Sequence, residues 1–175
     1  MQIRRATLAD AETLAELSRT TFLATYRDHP HADLFPGYVH RAYSTDAIRR
    51  ELSDAGTTLF LAVENGAAVG YAKICVTQPR EDVPGTRPIN LERIYLLESA
   101  QGGGVGGALI GACLQEARRR GRDVVWLGVL GTNERAIRFY QRWGFEIVGE
   151  EEFEIRPAPG RVVDVDVLMA LRLTS

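Results

Sequence analysis

The sequence predicts a mixed α/β domain. Three observations carry that expectation: two apolar β-favouring runs joined by Asn65-Gly66, a glycine-rich turn that leads into an apolar stripe at helical spacing, and a tail in which valine alternates with aspartate. In order along the chain, Met1 to Ala6 reads as a short strand. Thr7 and Asp10 then supply start chemistry for a helix to about Tyr26, with Ala11, Leu14, Ala15 and Ser18 on one small-residue face. From Arg27 to Ser44 the periodicity fails and His, Pro and Gly punctuate the chain, which reads as an irregular connection. Thr45 reads as the cap of a second helix running to about Asp54.

Thr57 to Glu64 and Ala67 to Thr77 form the expected hairpin, because Asn-Gly accepts the positive φ angles of a two-residue turn. A loop, Gln78 to Pro88, precedes the strand Ile89 to Leu97. Gly104 to about Arg120 follows as a helix with Ile110, Cys113, Leu114 and Ala117 on its apolar face, ended by Gly121. Asp123 to Leu130 is a buried strand. Asn133 caps a helix whose apolar face is Ala136, Phe139, Tyr140 and Trp143, with Arg135, Arg138 and Arg142 opposite. Gly144 suits a left-handed helix terminator, Phe145 opens another strand, Arg156 to Arg161 is the connecting turn, and Val162 to Leu173 closes the chain as a strand with one wet face. Seven strands and four helices result.

The 175 residues, 45% hydrophobic and 25% charged, fit one soluble domain spanning 1–175. A net charge of −2 offers no broad basic footprint for nucleic acid, and no apolar stretch approaches bilayer length, so small molecules are the expected partners. Two cysteines, Cys75 and Cys113, make neither a disulfide framework nor a zinc site, and no leader opens the chain; a cytoplasmic location is expected. His29, His31 and His40 fall in the irregular connection without further ligands, so they read as solvent-facing and no metal is expected.

Gln101-Gly102-Gly103-Gly104-Val105-Gly106-Gly107 lies between a strand and a helix, where helix-start N–H groups and the positive end of the dipole favour a phosphate. A P-loop would need Lys-Ser/Thr after the run, and Ala108-Leu109 stands there. Gly102, Gly104 and Gly107 do match the dinucleotide spacing, with Asp123 about twenty residues on, but that acid precedes its strand where the fingerprint needs it at a strand end.

Gln101-x-x-Gly104-x-Gly106 resembles the pyrophosphate motif of the GNAT family of N-acetyltransferases. Asn133-x-x-Ala136-x-x-Phe139-Tyr140-x-x-x-Gly144-Phe145 resembles that family's second motif. The segments Leu91 to Tyr95, Trp126 to Val129 and Asp166 to Met169 are similar to those of bacterial PaiA-like spermidine/spermine acetyltransferases. The resemblance covers nearly the whole chain in element order, with the specific motifs confined to Leu91 to Phe145. One departure is Glu98, where many members carry proline before the turn, so local loop geometry is expected to differ.

The resemblance implies a mostly antiparallel central sheet and acetyl-CoA as cosubstrate. Main-chain groups of Ile94, Tyr95 and Leu96 would meet the pantetheine arm and thioester, and Gln101 to Gly107 the pyrophosphate. Asn133 would contact the cofactor arm or serve as a helix cap alone. Transfer to a primary amine needs its neutral form, and such an amine has a pKa of about 10.4. Glu92, sharing a strand face with Ile94 and Leu96, would take that proton through water, or else simply bind the ammonium or pair with an arginine. Tyr140 would protonate the leaving thiolate, or else serve as a core aromatic. An acetyl-cysteine route is disfavoured, since both cysteines read as packing residues.

Phe22, Tyr26 and Tyr38 are expected walls for the acceptor, a small amine. Glu150, Glu151, Glu152, Glu154, Asp164 and Asp166 on the last two strands would attract a polyamine or simply form a solvated face. The alternatives are acetylation of a peptide and CoA binding without turnover. Exposed final strands suit sheet-to-sheet homodimerisation.

Overall fold

The computed structural model describes residues 1–154 and 163–173; the expected turn Arg156 to Arg161 lies outside them. Seven strands and five α-helices follow in chain order: β1 (Gln2–Arg5), α1 (Ala11–Thr25), α2 (Phe35–Ala42), α3 (Thr45–Ser53), β2 (Thr57–Glu64), β3 (Ala67–Val76), β4 (Pro88–Leu96), α4 (Val105–Arg119), β5 (Val124–Leu130), α5 (Glu134–Arg142), β6 (Glu146–Glu154) and β7 (Val163–Arg172). The strands are ordered β1-β2-β3-β4-β5-β7-β6, antiparallel at β1–β2, β2–β3, β5–β7 and β6–β7 and parallel at β4–β5. The mixed α/β, mostly antiparallel class is therefore as expected. No helix among the described residues is long and apolar enough to cross a membrane.

The chain forms two compact units, Met1–Cys75 with Arg93–Cys113, and Val76–Glu92 with the described residues from Leu114 onward. In the first, Asn65 and Gly66 take φ of 50° and 80°, the double positive pair of a tight hairpin, and β2 and β3 pair from Thr57↔Cys75 to Glu64↔Ala67. The α1 helix packs on α2 and α3 and buries Ala11, Leu14, Ala15 and Ser18, the face read from spacing. A short 3-10 turn, Leu8–Asp10, precedes it, where the Asp10 carboxylate accepts from the Thr7 N–H at 2.8 Å and pairs with Arg4.

The helix α2 corrects the expectation of irregular chain over Arg27 to Ser44. Pro36 sits in its first turn, where no backbone N–H is needed, and Phe35 and Val39, four apart, are both buried. Ser44, not Thr45, caps α3: its backbone is extended and its hydroxyl accepts from the Ala47 N–H at 3.2 Å.

In the second unit β5 pairs with β7 from Val124↔Arg172 to Leu130↔Asp166, and β7 with the edge strand β6. The loop between β3 and β4 is pinned here. Val83 is buried against Val124 and Ala170, Arg80 lies 4.7 Å over the Trp126 ring, and the Asp123 carboxylate accepts from Thr86 and Arg87 N–H at 2.9 Å.

One expectation fails in this unit and another holds only in part. The wet-and-dry alternation of β7 is absent: Val165 is exposed and Asp166 half-buried, because Leu168, Met169 and Ala170 bury both faces of the same strand further on. On the apolar face of α5 Tyr140 is buried and Ala136 and Phe139 are half-buried, with Arg135, Arg138 and Arg142 exposed opposite as expected, while Trp143 follows the helix as its cap and is exposed.

Candidate active site

Along β4 the burial changes character. Pro88 to Leu91 are buried, Glu92 is exposed, and Arg93 to Leu96 are half-buried. The ladder with β5 covers only Pro88–Asn90 against Val124–Trp126, and Ile94 to Leu96 lie beyond it. Gly70 of β3 makes room for the strand's end: a Cβ there would stand 2.5 Å from Leu96 Cδ2 and 3.0 Å from the Tyr95 carbonyl oxygen.

After Leu96 a 3-10 turn, Glu98–Ala100, carries the chain into the glycine run, and Glu98 pairs with Arg27 from the end of α1. Gln101 to Gly104 are exposed, and Gly102 and Gly104 take φ of 84° and 82°. A Cβ at either would meet nothing within 4 Å. Glycine is thus required here by backbone conformation and not by packing, and the turn stands open. Val105 is buried and opens α4, whose first in-helix bond joins the Ala108 N–H to the Gly104 carbonyl. The N–H groups of Val105, Gly106 and Gly107 belong to the donor-rich first turn that suits an anion.

The first unit also gathers the three expected acceptor walls. The Phe22 ring lies 4.5 Å from Tyr26 and 5.7 Å from Tyr38. Three tyrosines that sequence reading did not link to them join the cluster: Tyr43 at 5.7 Å and Tyr95 at 6.2 Å from Phe22, and Tyr71 stacked 5.9 Å from Tyr95. Burial pushes the Tyr95 phenol well above its ordinary pKa, helped by nearby Tyr26, Tyr43 and Tyr71. Tyr43 is raised in the same way. Behind them Arg93 makes a two-armed ion pair with Glu51 at 2.8 and 2.9 Å, Lys73 joins the same carboxylate at 2.9 Å, and Arg93 lies 4.8 Å over the Tyr43 ring. His29 is not the solvent-facing residue expected: it is half-buried against Phe35, and its Nδ1 accepts from the His31 N–H. His31 is half-buried too, while His40 is exposed on α2.

Glu92, Asn133 and Tyr140 belong to the second unit. Asn133 caps α5, accepting from the Ala136 N–H at 3.1 Å. Tyr140 is buried between Phe139 and Phe145, and its carbonyl accepts from the Trp143 and Phe145 N–H groups as Gly144 turns the chain at φ 86°. The acid that a dinucleotide site would need, Asp123, is spent on the Thr86–Arg87 backbone.

The acidic residues of the last strands do not form one patch. Register puts Glu151, Asp164 and Asp166 on one face and Glu150 and Glu152 on the other, and Glu151 bonds Arg80; the side chain of Glu154 is outside the described set. Burial, then Asp164 and Glu151, raise the Asp166 carboxyl to about 6. Cys113 is fully buried and Cys75 half-buried, both within secondary structure.

Residues 12–145 match the acetyltransferase (GNAT) family. The chain is 30% identical over 148 residues to an uncharacterized N-acetyltransferase of Mycobacterium bovis, covering 85% of this chain and 90% of that one. It is 26% identical to the L-amino acid N-acyltransferase MnaT of Escherichia coli, over 86% and 82% of the two chains. In fold it is similar to the PaiA N-acetyltransferase of Thermoplasma acidophilum, solved in complex with coenzyme A, with a TM-score of 0.77, 19% identity and 98% of each chain covered. With a family match over 12–145, both motifs inside it and the fold of a known member, the chain belongs to the GNAT family and is an N-acetyltransferase.

Proposed function

We propose that the protein transfers an acetyl group from acetyl-CoA directly to the primary amine of a small molecule, in one domain and through a ternary complex. The observation that carries the cosubstrate is the open turn Gln101 to Gly104 leading into α4, with left-handed glycines whose Cβ positions face empty space. A diphosphate fits such a cradle, because backbone N–H groups and the helix dipole supply the donors without any side chain. Beyond the β5 ladder, the Ile94 to Leu96 backbone would bind the arm and polarise the thioester carbonyl, and Asn133 would contact the arm as well as cap α5. Acetyl-CoA supplies the activated acyl group.

Glu92, exposed on β4, takes one proton from the substrate ammonium through water, and the neutral amine then forms the N–C bond as the C–S bond breaks. Tyr140 gives its proton to the departing sulfur and regains one from the nitrogen, so no net proton stays on the tyrosine. Two cysteines, too sparse for a disulfide framework, support a reducing cytoplasm, and the edge strand β6 supports pairing with a second copy. A polyamine acceptor draws its support from Glu151, Asp164 and Asp166, and that support is reduced by the division of the acidic residues between two faces.

Thiol release from acetyl-CoA, measured against spermidine, small monoamines and peptides with a free N-terminus, tests the proposal. Turnover on small amines is expected. Turnover confined to peptides would move the assignment to peptide acetylation, and tight acetyl-CoA binding with no turnover on any amine would make the protein a CoA sensor.

A further inference from the structure

We infer that the acceptor is a monoamine carried on an aromatic body, read by the ring cluster of Phe22, Tyr26, Tyr38, Tyr43, Tyr71 and Tyr95. This rests on the acetyl-transfer reading above and names the substrate class that it leaves open. The cluster runs from solvent inward: Tyr38 is 39% exposed, Tyr26 and Tyr95 are half-buried, and Tyr43 and Tyr71 are buried. Filling a core takes only apolar volume, which leucine and phenylalanine supply without a hydroxyl to satisfy. Counting Phe35, which packs edge-on to Phe22, five of the seven rings are tyrosines, and the Tyr95 hydroxyl is bonded to Tyr26 inside the cluster. The result is a wall of aromatic faces and phenol oxygens with an open end at Tyr38.

Tyr95 ties that wall to the reacting centre. On β4 its side chain points to the face opposite Glu92, Ile94 and Leu96, so the proton that Glu92 takes has to pass around the strand through water. The backbone segment assigned to the thioester therefore carries, on its other side, the ring that meets Phe22 and Tyr71. An acceptor whose amine reaches that backbone would lay its body on these rings.

The chemistry of the wall selects among amines. Burial holds the Tyr43 and Tyr95 phenols neutral across physiological pH, so the wall supplies no anion. At its back stands a guanidinium, Arg93, 4.8 Å over the Tyr43 ring and held in place by Glu51. A polyamine would have to shed hydration from further ammonium groups beside neutral rings and a fixed cation. A flat body with a single ammonium meets offset or edge-on rings instead.

Initial rates with 2-phenylethylamine, n-butylamine and spermidine at saturating acetyl-CoA test this in wild type, Tyr38→Ala and Tyr26→Phe. The wild type should favour 2-phenylethylamine over n-butylamine by about tenfold in kcat/KM, the scale of one or two aromatic contacts. Tyr38→Ala should erase most of that preference with the KM for acetyl-CoA unchanged; the exposure of Tyr38 keeps folding out of the comparison. Tyr26→Phe, which keeps the ring, should preserve it. Spermidine as the best acceptor, or a phenylethylamine preference absent or untouched by Tyr38→Ala, overturns the inference. If no amine is turned over, calorimetric titration with 2-phenylethylamine decides it: binding that weakens in Tyr38→Ala upholds the ring wall while the transfer reading falls, and no binding overturns both.

Discussion

Replacing Asp166 by asparagine should stabilise the protein at neutral pH and leave it nearly unchanged near pH 4. The side chain lies on β7 opposite Leu130 and Glu151, two residues from Asp164 on the same face. One of its oxygens is 3.0 Å from where a Cβ on Gly128 would stand, so the carboxyl settles into space a glycine leaves. Burial and the two neighbouring carboxylates raise it to about 6. The sign follows from proton counting. Between about pH 4 and pH 6 the folded state holds a proton at Asp166 that the unfolded chain has released, so stability falls as pH rises through that window and stays lower above it. A rise of about two pH units corresponds to roughly 3 kcal/mol at most. Because the group is only half-buried, solvent screening reduces this to about 1 kcal/mol. Urea unfolding of wild type and Asp166→Asn at pH 4.0 and 7.5 measures it as a difference of differences. A gap between the two proteins that stays constant with pH would refute the assignment of a strained carboxylate.

Four further outcomes are expected. Gly104→Ala forces a left-handed residue where nothing blocks the Cβ, so its cost is backbone strain of about 1–2 kcal/mol by thermal unfolding, accompanied by weaker CoA binding in calorimetry. Asn133→Ala should lose about 1 kcal/mol with the α5 cap, while Asn133→Ser keeps the cap; a raised acetyl-CoA KM in both variants identifies a cofactor contact, and an unchanged KM leaves a cap alone. Tyr140→Phe preserves the ring between Phe139 and Phe145 and should lower kcat about a hundredfold with cofactor affinity intact, whereas an unaltered kcat removes Tyr140 as the acid. Glu92→Gln should abolish the acidic limb of the kcat/KM profile, and an unchanged profile demotes Glu92 to binding.

What was legible in the sequence was what short-range chemistry decides. Asn65-Gly66 names its own turn because few other pairs accept two positive φ angles, and Asn133 and Gly144 bracket α5 for equally local reasons. The α2 helix was hidden by the same logic. Pro36 and Gly37 read as punctuation, yet a proline in the first turn of a helix breaks no hydrogen bond. Phe35 and Val39 four residues apart were the signal present. Ser44 and Thr45 are both good caps, and only the extended backbone at Ser44 separates them. In β7 the valine–aspartate alternation misled because period two reports a wet face only while the strand has one, and Leu168 to Ala170 leave none.

The candidate site divides along the same line. The proposed phosphate cradle is continuous in sequence, so Gln101 to Gly107 was enough to suggest it, and the φ angles of Gly102 and Gly104 supply the physical need for glycine that a motif only implies. The proposed acceptor side is discontinuous. Tyr43, Tyr71 and Tyr95 stand on α3's approach, β3 and β4, far from Phe22 in the chain, and only the β3–β4 adjacency and the packing of α1 bring their rings together. Charge is divided for a related reason. Counting carboxylates along β6 and β7 suggests a polycation, but a strand deals alternate residues to opposite faces, so a run of glutamates is divided before it acts as a field. Substrate class in this protein is therefore better argued from rings gathered by topology than from charges adjacent in sequence, and the kinetic contrast between an aromatic monoamine and spermidine weighs one kind of inference against the other.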